Sequence, residues 1–268
     1  MSRFLLGAHN YFFCQYGYDP VTQLDEVCQI VSESGFPAVE MYAPNLDAPD
    51  SRERVLGALD KAGLRLIGVS HGQPFWDIDK HDQIVAEMEA FCDKLTALGL
   101  GSLRCGCSCG GKRLADRTDA ENEQCVAMWT EVGRLFRDKG HRLNLHTHGE
   151  PIEDLNLVVD NVPADVLELN PDLDWLRVGG VDPEAFVRAH ADRLSLLHIR
   201  DYHLGGPRTD ALGEGDVDYR QLAKVLEEIN FTGDFVVELA LPGSSEGARP
   251  PLELLTLSRE HIRETMGI

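Results

Sequence analysis

The chain has 268 residues, and its 45 acidic against 25 basic side chains give a formal charge of -20, a field that repels polyphosphate and anionic lipid surfaces. Nucleic acid and membranes are therefore not expected partners, and no window approaches the roughly 18 uncharged apolar residues of a membrane helix. Seven cysteines, an odd number in a chain long enough to build its own core, point to a reducing cytoplasm rather than a disulfide framework.

The N-terminal run Met1-Ser2-Arg3-Phe4-Leu5-Leu6-Gly7 is broken by His9 and Asn10 too soon to act as an export signal. From there, short β-rich runs ending in polar residues fall at Phe4–Ala8, Ala38–Tyr42, Arg65–Ser70, Ser102–Gly106, Arg142–His146, Asp165–Asn170, Leu194–Arg200 and Asp234–Ala240. Helical periodicity follows each in turn, at Thr22–Ser34, Ser51–Ala62, His81–Leu98, Ala120–Lys139, Glu153–Asn161, Pro183–His190, Tyr219–Ile229 and Leu252–Met266. Gly35, Gly63, Gly99, Gly140 and Gly233 each stand between a helix and the next strand, where a left-handed cap is wanted.

Strict β-then-α alternation in eight units predicts an α/β fold, a single parallel (β/α)8 TIM barrel spanning residues 1–268 as one domain. An open doubly wound sheet would carry a Gly-rich phosphate turn after its first strand. The turn here, Gly7-Ala8-His9-Asn10-Tyr11-Phe12-Phe13, has no such pattern.

In such a barrel the chemistry sits at the C-terminal ends of the strands. The residues expected there are His9 and Asn10, then Glu40, His71, Arg104, His146 with His148 and Glu150, Asp172, His198 and Glu238. This mixed oxygen and nitrogen set suits one divalent metal ion, manganese first, with zinc, cobalt, magnesium or iron as alternatives. Glu238 lies in the apolar run Phe235-Val236-Val237-Glu238-Leu239-Ala240, where an unpartnered carboxylate is costly. An ion pair with a neighbouring Arg or Lys is the competing explanation for it. His198 could equally be a hydrogen-bonded core histidine, and Asp172 could cap the next helix, a role for which Asp174 competes.

Several segments together resemble the xylose-isomerase-like sugar isomerase and epimerase barrels, which share their fold with a DNA-repair endonuclease branch. They are Ala38-Val39-Glu40-Met41, Asp172 followed by Gly179-Gly180-Val181-Asp182-Pro183, Leu197-His198-Ile199-Arg200-Asp201, Leu212-Gly213-Glu214-Gly215-Asp216-Val217-Asp218-Tyr219, and Val236-Val237-Glu238. The resemblance covers nearly the whole chain, and it implies one metal held by a glutamate after the fifth strand, an aspartate after the sixth, a histidine on the seventh and a glutamate on the eighth. Asp172, His198 and Glu238 match three of these. The fifth strand departs, ending Leu143-Asn144-Leu145-His146-Thr147-His148-Gly149-Glu150. Either His146 replaces the ligand, or Glu150 reaches back while His146 or His148 serves as base.

The resemblance implies proton abstraction beside a carbonyl of a small-molecule sugar or cyclitol, leading to isomerisation or epimerisation. The expected catalytic residues are His146, His148 and Glu238. The His-x-His-Gly segment is similar to keto-inositol dehydratase relatives, which makes a lyase the alternative outcome. His71, Glu150 and Arg208 are expected to contact substrate, Trp175 to stack on a sugar face or join the core, and Glu40 to orient a neighbouring histidine or arginine. Cys105-Gly106-Cys107-Ser108-Cys109 lacks the two-residue gaps of a metal-binding Cys pair. A non-catalytic sugar-binding or partner subunit is the third reading, and a homo-oligomer is compatible with all three.

Overall fold

A computed structural model of the chain describes residues 4–108, 110–241 and 248–268. Met1, Ser2, Arg3 and Cys109, which entered the reading of the sequence, lie outside the described residues.

Eight strands are formed: β1 (Leu6–His9), β2 (Ala38–Tyr42), β3 (Arg65–Ser70), β4 (Arg104–Cys107), β5 (Arg142–His146), β6 (Glu168–Asn170), β7 (Leu196–Ile199) and β8 (Asp234–Val237). All pairings are parallel, in the order β6-β5-β4-β3-β2-β1-β8-β7. Single bridges, Leu169 to Leu194 and Asp172 to His198, span the gap between β6 and β7. The result is a (β/α)8 TIM barrel.

Period-two alternation explains why its interior changes character along the axis. Ala38, Ile67, Leu196 and Val236 form a small apolar cluster inside the barrel. Two residues further along the same strands come Glu40, His198 and Glu238, so the polar groups stand one layer above an apolar plug. Neighbouring β3 and β4 contribute Gly68 and Gly106, whose missing side chains leave room near Glu40 Oε1. The larger apolar core lies between the strands and the surrounding helices.

Among the described residues the helices are α1 (Leu24–Glu33), α2 (Ser51–Ala62), α3 (His81–Leu98), α4 (Asp119–Asp138), α5 (Ile152–Val159), α6 (Leu173–Val178), α7 (Pro183–Ala189), α8 (Tyr219–Glu228) and α9 (Pro251–Met266). Their buried faces have the expected spacing, as in α1 with Leu24, Val27, Cys28 and Val31. Thr118 and Glu121 close a reciprocal capping box on α4.

Three expectations need correction. Gly233 is not a left-handed cap; its need for glycine is crowding, since a Cβ there would lie 2.4 Å from the Ser195 carbonyl oxygen. The left-handed residue after α8 is Asn230, at φ 53. Arg104 does not reach the C-terminal mouth: it opens β4 and pairs with Asp234 at the start of β8, 3.0 Å away, on the opposite face of the barrel. Finally, β6 is only three residues long, and the short helix α6, unforeseen, follows it almost at once.

Candidate active site

Each strand end contributes to one mouth. The pocket there holds about 350 Å³ and is lined by histidines from β1, β5 and β7 and from the loops after β3 and β5, with Glu238, Ser70, Tyr11 and Tyr42. A pocket of about 500 Å³ surrounds Arg104 and Asp234 at the other end of the barrel, but leucines make up much of its wall.

At the floor of the mouth, His146, Asp172, His198 and Glu238 each offer a ligand atom, and these atoms all lie within 4.8 Å of one another. Asp172, His198 and Glu238 are buried. His146 Nδ1 is buried without a hydrogen-bond partner among the described residues. Burial, helped by the neighbouring His198 charge, pushes its pKa down to about 3. Two imidazoles and two carboxylates converging within 4.8 Å, with an unpartnered buried nitrogen on one ring, form a donor set that a divalent transition ion takes, so the residues present fit such an ion.

A salt-bridged frame surrounds these four. His198 donates from Nδ1 to Glu238 Oε2 at 2.7 Å and from Nε2 to Glu40 Oε2 at 2.6 Å. Burial alone would lower the His198 pKa, but the Glu40 and Glu238 carboxylates override it and hold it up to about 10. Glu40 supplies the carboxylate behind the histidine, the arrangement that orients a metal-ligating imidazole.

Arg200 completes the frame. Its Nε donates to Asp172 Oδ2 at 2.5 Å, Nη2 lies 2.7 Å from Glu238 Oε1, and Nη1 donates to the Ala240 carbonyl at 2.8 Å. Burial would raise the Glu238 pKa, yet the Arg200 and His198 charges hold it well below the usual carboxylate range. Asp172 also caps α6, its Oδ1 accepting the backbone N–H of Asp174 and Trp175 at 3.0 Å each. The capping role and membership of the cluster are therefore both present in one residue.

Of the residues expected to contact substrate, His71 lines the pocket, together with the expected catalytic residues His146, His148 and Glu238, whereas Glu150, Arg208 and Trp175 do not. Glu150 is buried behind the loop, accepting the His148 backbone N–H and lying 3.5 Å from Arg113 Nη1. It does not belong to the four-residue cluster, so the idea that it reaches back as a ligand is not realised. Arg208 is bound to the buried Asp174 carboxylate, and its guanidinium covers the Trp175 ring at 4.2 Å. The Trp175 ring also packs against His148, with ring centroids 4.2 Å apart and the planes tilted by 33°. Trp175 thus packs against both Arg208 and His148 and does not line the pocket.

The motif Gly213-Glu214-Gly215-Asp216 has a structural explanation. The Asp201 carboxylate accepts the backbone N–H of Tyr202, Gly213, Gly215 and Val217 at 2.8 to 3.2 Å. At Gly215 a Cβ would stand 2.3 Å from Asp201 Oδ1. The conjunction of His-x-Arg-Asp with Gly-Glu-Gly-Asp is one hydrogen-bonded unit that fixes the loop beyond β7. Cys105 and Cys107 are buried as free thiols, 3.7 Å apart, outside the metal-binding group.

An eight-stranded parallel barrel with its ionisable side chains gathered at the C-terminal mouth is the architecture of an α/β-barrel enzyme. Residues 28–265 match the family model described as xylose isomerase-like TIM barrel, and the chain belongs to that family. An inosose dehydratase of Clostridium perfringens is 24% identical over 52% of this chain and 52% of its own length. The chain thus spans about half the length of this curated relative. An inosose dehydratase of Klebsiella pneumoniae is 23% identical over 90% of both chains. Among solved structures, the D-psicose 3-epimerase of Clostridium cellulolyticum superposes with a TM-score of 0.80 at 15% identity, covering 98% of this chain and 99% of that one. Among the described residues, no helix is long and apolar enough to cross a membrane.

Proposed function

We propose that this protein is a divalent-metal-dependent lyase that removes water from a keto-cyclitol or related keto-sugar, with His146, Asp172, His198 and Glu238 as the metal ligands and His148 as the base. The observation that carries the proposal is the inequality of the two sides of the pocket. Both oxygens of Glu238 are engaged, by Arg200 and His198, and its basicity is low. A carboxylate so held is a poor proton acceptor, which counts against an epimerase with two carboxylate bases and against a catalytic role for Glu238 in moving the proton. His148 is open to the pocket and held by Trp175. Partial loss of hydration lowers its pKa, which keeps the ring neutral and able to accept a proton near pH 7. The inosose dehydratases among the relatives support this choice of reaction.

A bound divalent ion, manganese being our choice, would polarise the substrate carbonyl and stabilise the negative charge that develops on its oxygen. His148 accepts the proton from the carbon beside that carbonyl. The C–H electron pair becomes the new C=C bond as the β C–O bond breaks, and the proton returns to the departing hydroxyl, so that water leaves. His146 stays neutral and would serve as one of the ligands of the ion.

Incubation of the metal-loaded protein with an inosose tests this. We expect ultraviolet absorbance of a conjugated enone to grow, and His148→Gln to lower kcat by about 10²- to 10⁴-fold with metal content unchanged. Deuterium incorporation from heavy water and a new stereoisomer, without water loss, would establish the epimerase reading instead.

A further inference from the structure

His9, at the end of β1, makes two hydrogen bonds that together determine where its hydrogen sits. Nδ1 accepts the Tyr11 backbone N–H at 3.0 Å and so caps the 3-10 turn Asn10–Tyr16. Nε2 lies 3.0 Å from Ser70 Oγ, at the end of β3. A backbone N–H can only donate, so Nδ1 is bare, and a neutral ring then carries its hydrogen on Nε2. His9 is only 3% exposed. Nε2–H therefore donates to Ser70 Oγ, and the hydroxyl hydrogen of Ser70 must find a different acceptor. Ser70 Oγ has no other hydrogen-bond partner among the described residues, and both side chains line the mouth pocket.

We propose that Ser70, with one lone pair claimed by His9, is a fixed hydrogen-bond donor to a substrate hydroxyl or carbonyl oxygen, on the β3 side of the pocket. This rests on the reading of the pocket as a site for a polyhydroxylated ring. His9 is then a positioning residue: it sets the direction of the Ser70 hydrogen through its own cap, and a ring that turned over would lose the bond to Tyr11. The pocket thereby carries a recognition element distinct from the metal ligands and from the base, and it selects oxygen acceptors.

Two measurements test the proposal. Nitrogen-resolved NMR of the histidine side chains, with no substrate present, should find the His9 hydrogen on Nε2. Equilibrium binding of myo-inositol, a cyclitol that lacks the reactive carbonyl, should weaken about tenfold in Ser70→Ala, the loss of one well-placed hydrogen bond. Ser70→Thr, which keeps the hydroxyl, should bind within about threefold of the parent. A His9 hydrogen on Nδ1, or a Ser70→Ala protein that binds myo-inositol as tightly as the parent, overturns the assignment. Ser70-dependent binding of myo-inositol combined with no loss of water from an inosose would refute the lyase reading and leave the donor assignment standing.

Discussion

Three buried carboxylates, Glu40, Asp172 and Glu238, face two buried cations, Arg200 and His198. A proton and a metal ion cannot share one His198 nitrogen, so an ion bound at Nδ1 would have to displace the proton that now bridges to Glu238. Arg200 remains in either state, and its planar fork meets Asp172 and Glu238 together in a way a lysine cannot. Removing one partner of a buried ion pair leaves charge uncompensated. Arg200→Met should therefore destabilise the metal-free protein by about 3–5 kcal/mol in urea unfolding with chelator present, and manganese should restore part of the loss. A loss below about 1 kcal/mol would mean the carboxylates find other partners or take up protons. At this scale the sequence was informative where a polar residue interrupts an apolar strand, as Glu238 and His198 do. Arg200 was present in the recognised motif but had no legible role, because an arginine at a strand end is usually solvated until two carboxylates are known to converge on it. Ser70 and Trp175 were obscure for the same reason: their importance depends on what lies across the barrel mouth.

The glycines that separate helices from strands divide into two kinds with different energetic consequences. Gly63 caps α2 at φ 66 with nothing within 4 Å of a would-be Cβ, so only backbone conformation is at stake. Gly63→Ala should cost about 1–2 kcal/mol. Gly233 has no left-handed conformation to relieve, but its Cβ would meet the Ser195 carbonyl, which is fixed because it accepts the Asp234 backbone N–H. Gly233→Ala should cost more than Gly63→Ala, at least about 3 kcal/mol, and chemical denaturation of the two variants side by side checks the order. Both glycines looked alike in the sequence, since spacing reports that an element ends and not which atoms approach it from another strand. The same limit explains Arg104, whose strand begins two residues later than expected and so presents it to the opposite face. The succession of eight strands was legible because most read as short, largely buried runs that end in polar residues. The helix α6 escaped notice because six residues are fewer than two turns and leave little periodicity to detect.

Across the whole molecule, acid sensitivity should come in part from histidines that are kept neutral by burial. His141 accepts the Leu103 backbone N–H on Nδ1 and lies 3.0 Å from Thr96 Oγ1, and burial lowers its pKa below the ordinary 6.5. The folded protein then binds fewer protons at this site than the unfolded chain. Its contribution to stability is complete above about pH 6.5 and is lost as the pH falls below that value. Urea midpoints should decline between pH 7 and pH 5, and His141→Asn should flatten part of that decline; an unchanged slope would assign the effect to other groups. Charge repulsion from the net -20 acts in the opposite sense to the acid effect, so added salt should raise the midpoint at pH 7. The central claim, a divalent ion held by four side chains from four strand ends, is tested most directly by an anomalous-scattering crystal structure of the protein soaked in manganese. We expect one peak within coordination distance of His146, Asp172, His198 and Glu238, with His198 Nε2 still bonded to Glu40. An empty cluster with the Arg200 and His198 ion pairs intact, or an ion held by Glu150 in place of His146, would contradict it.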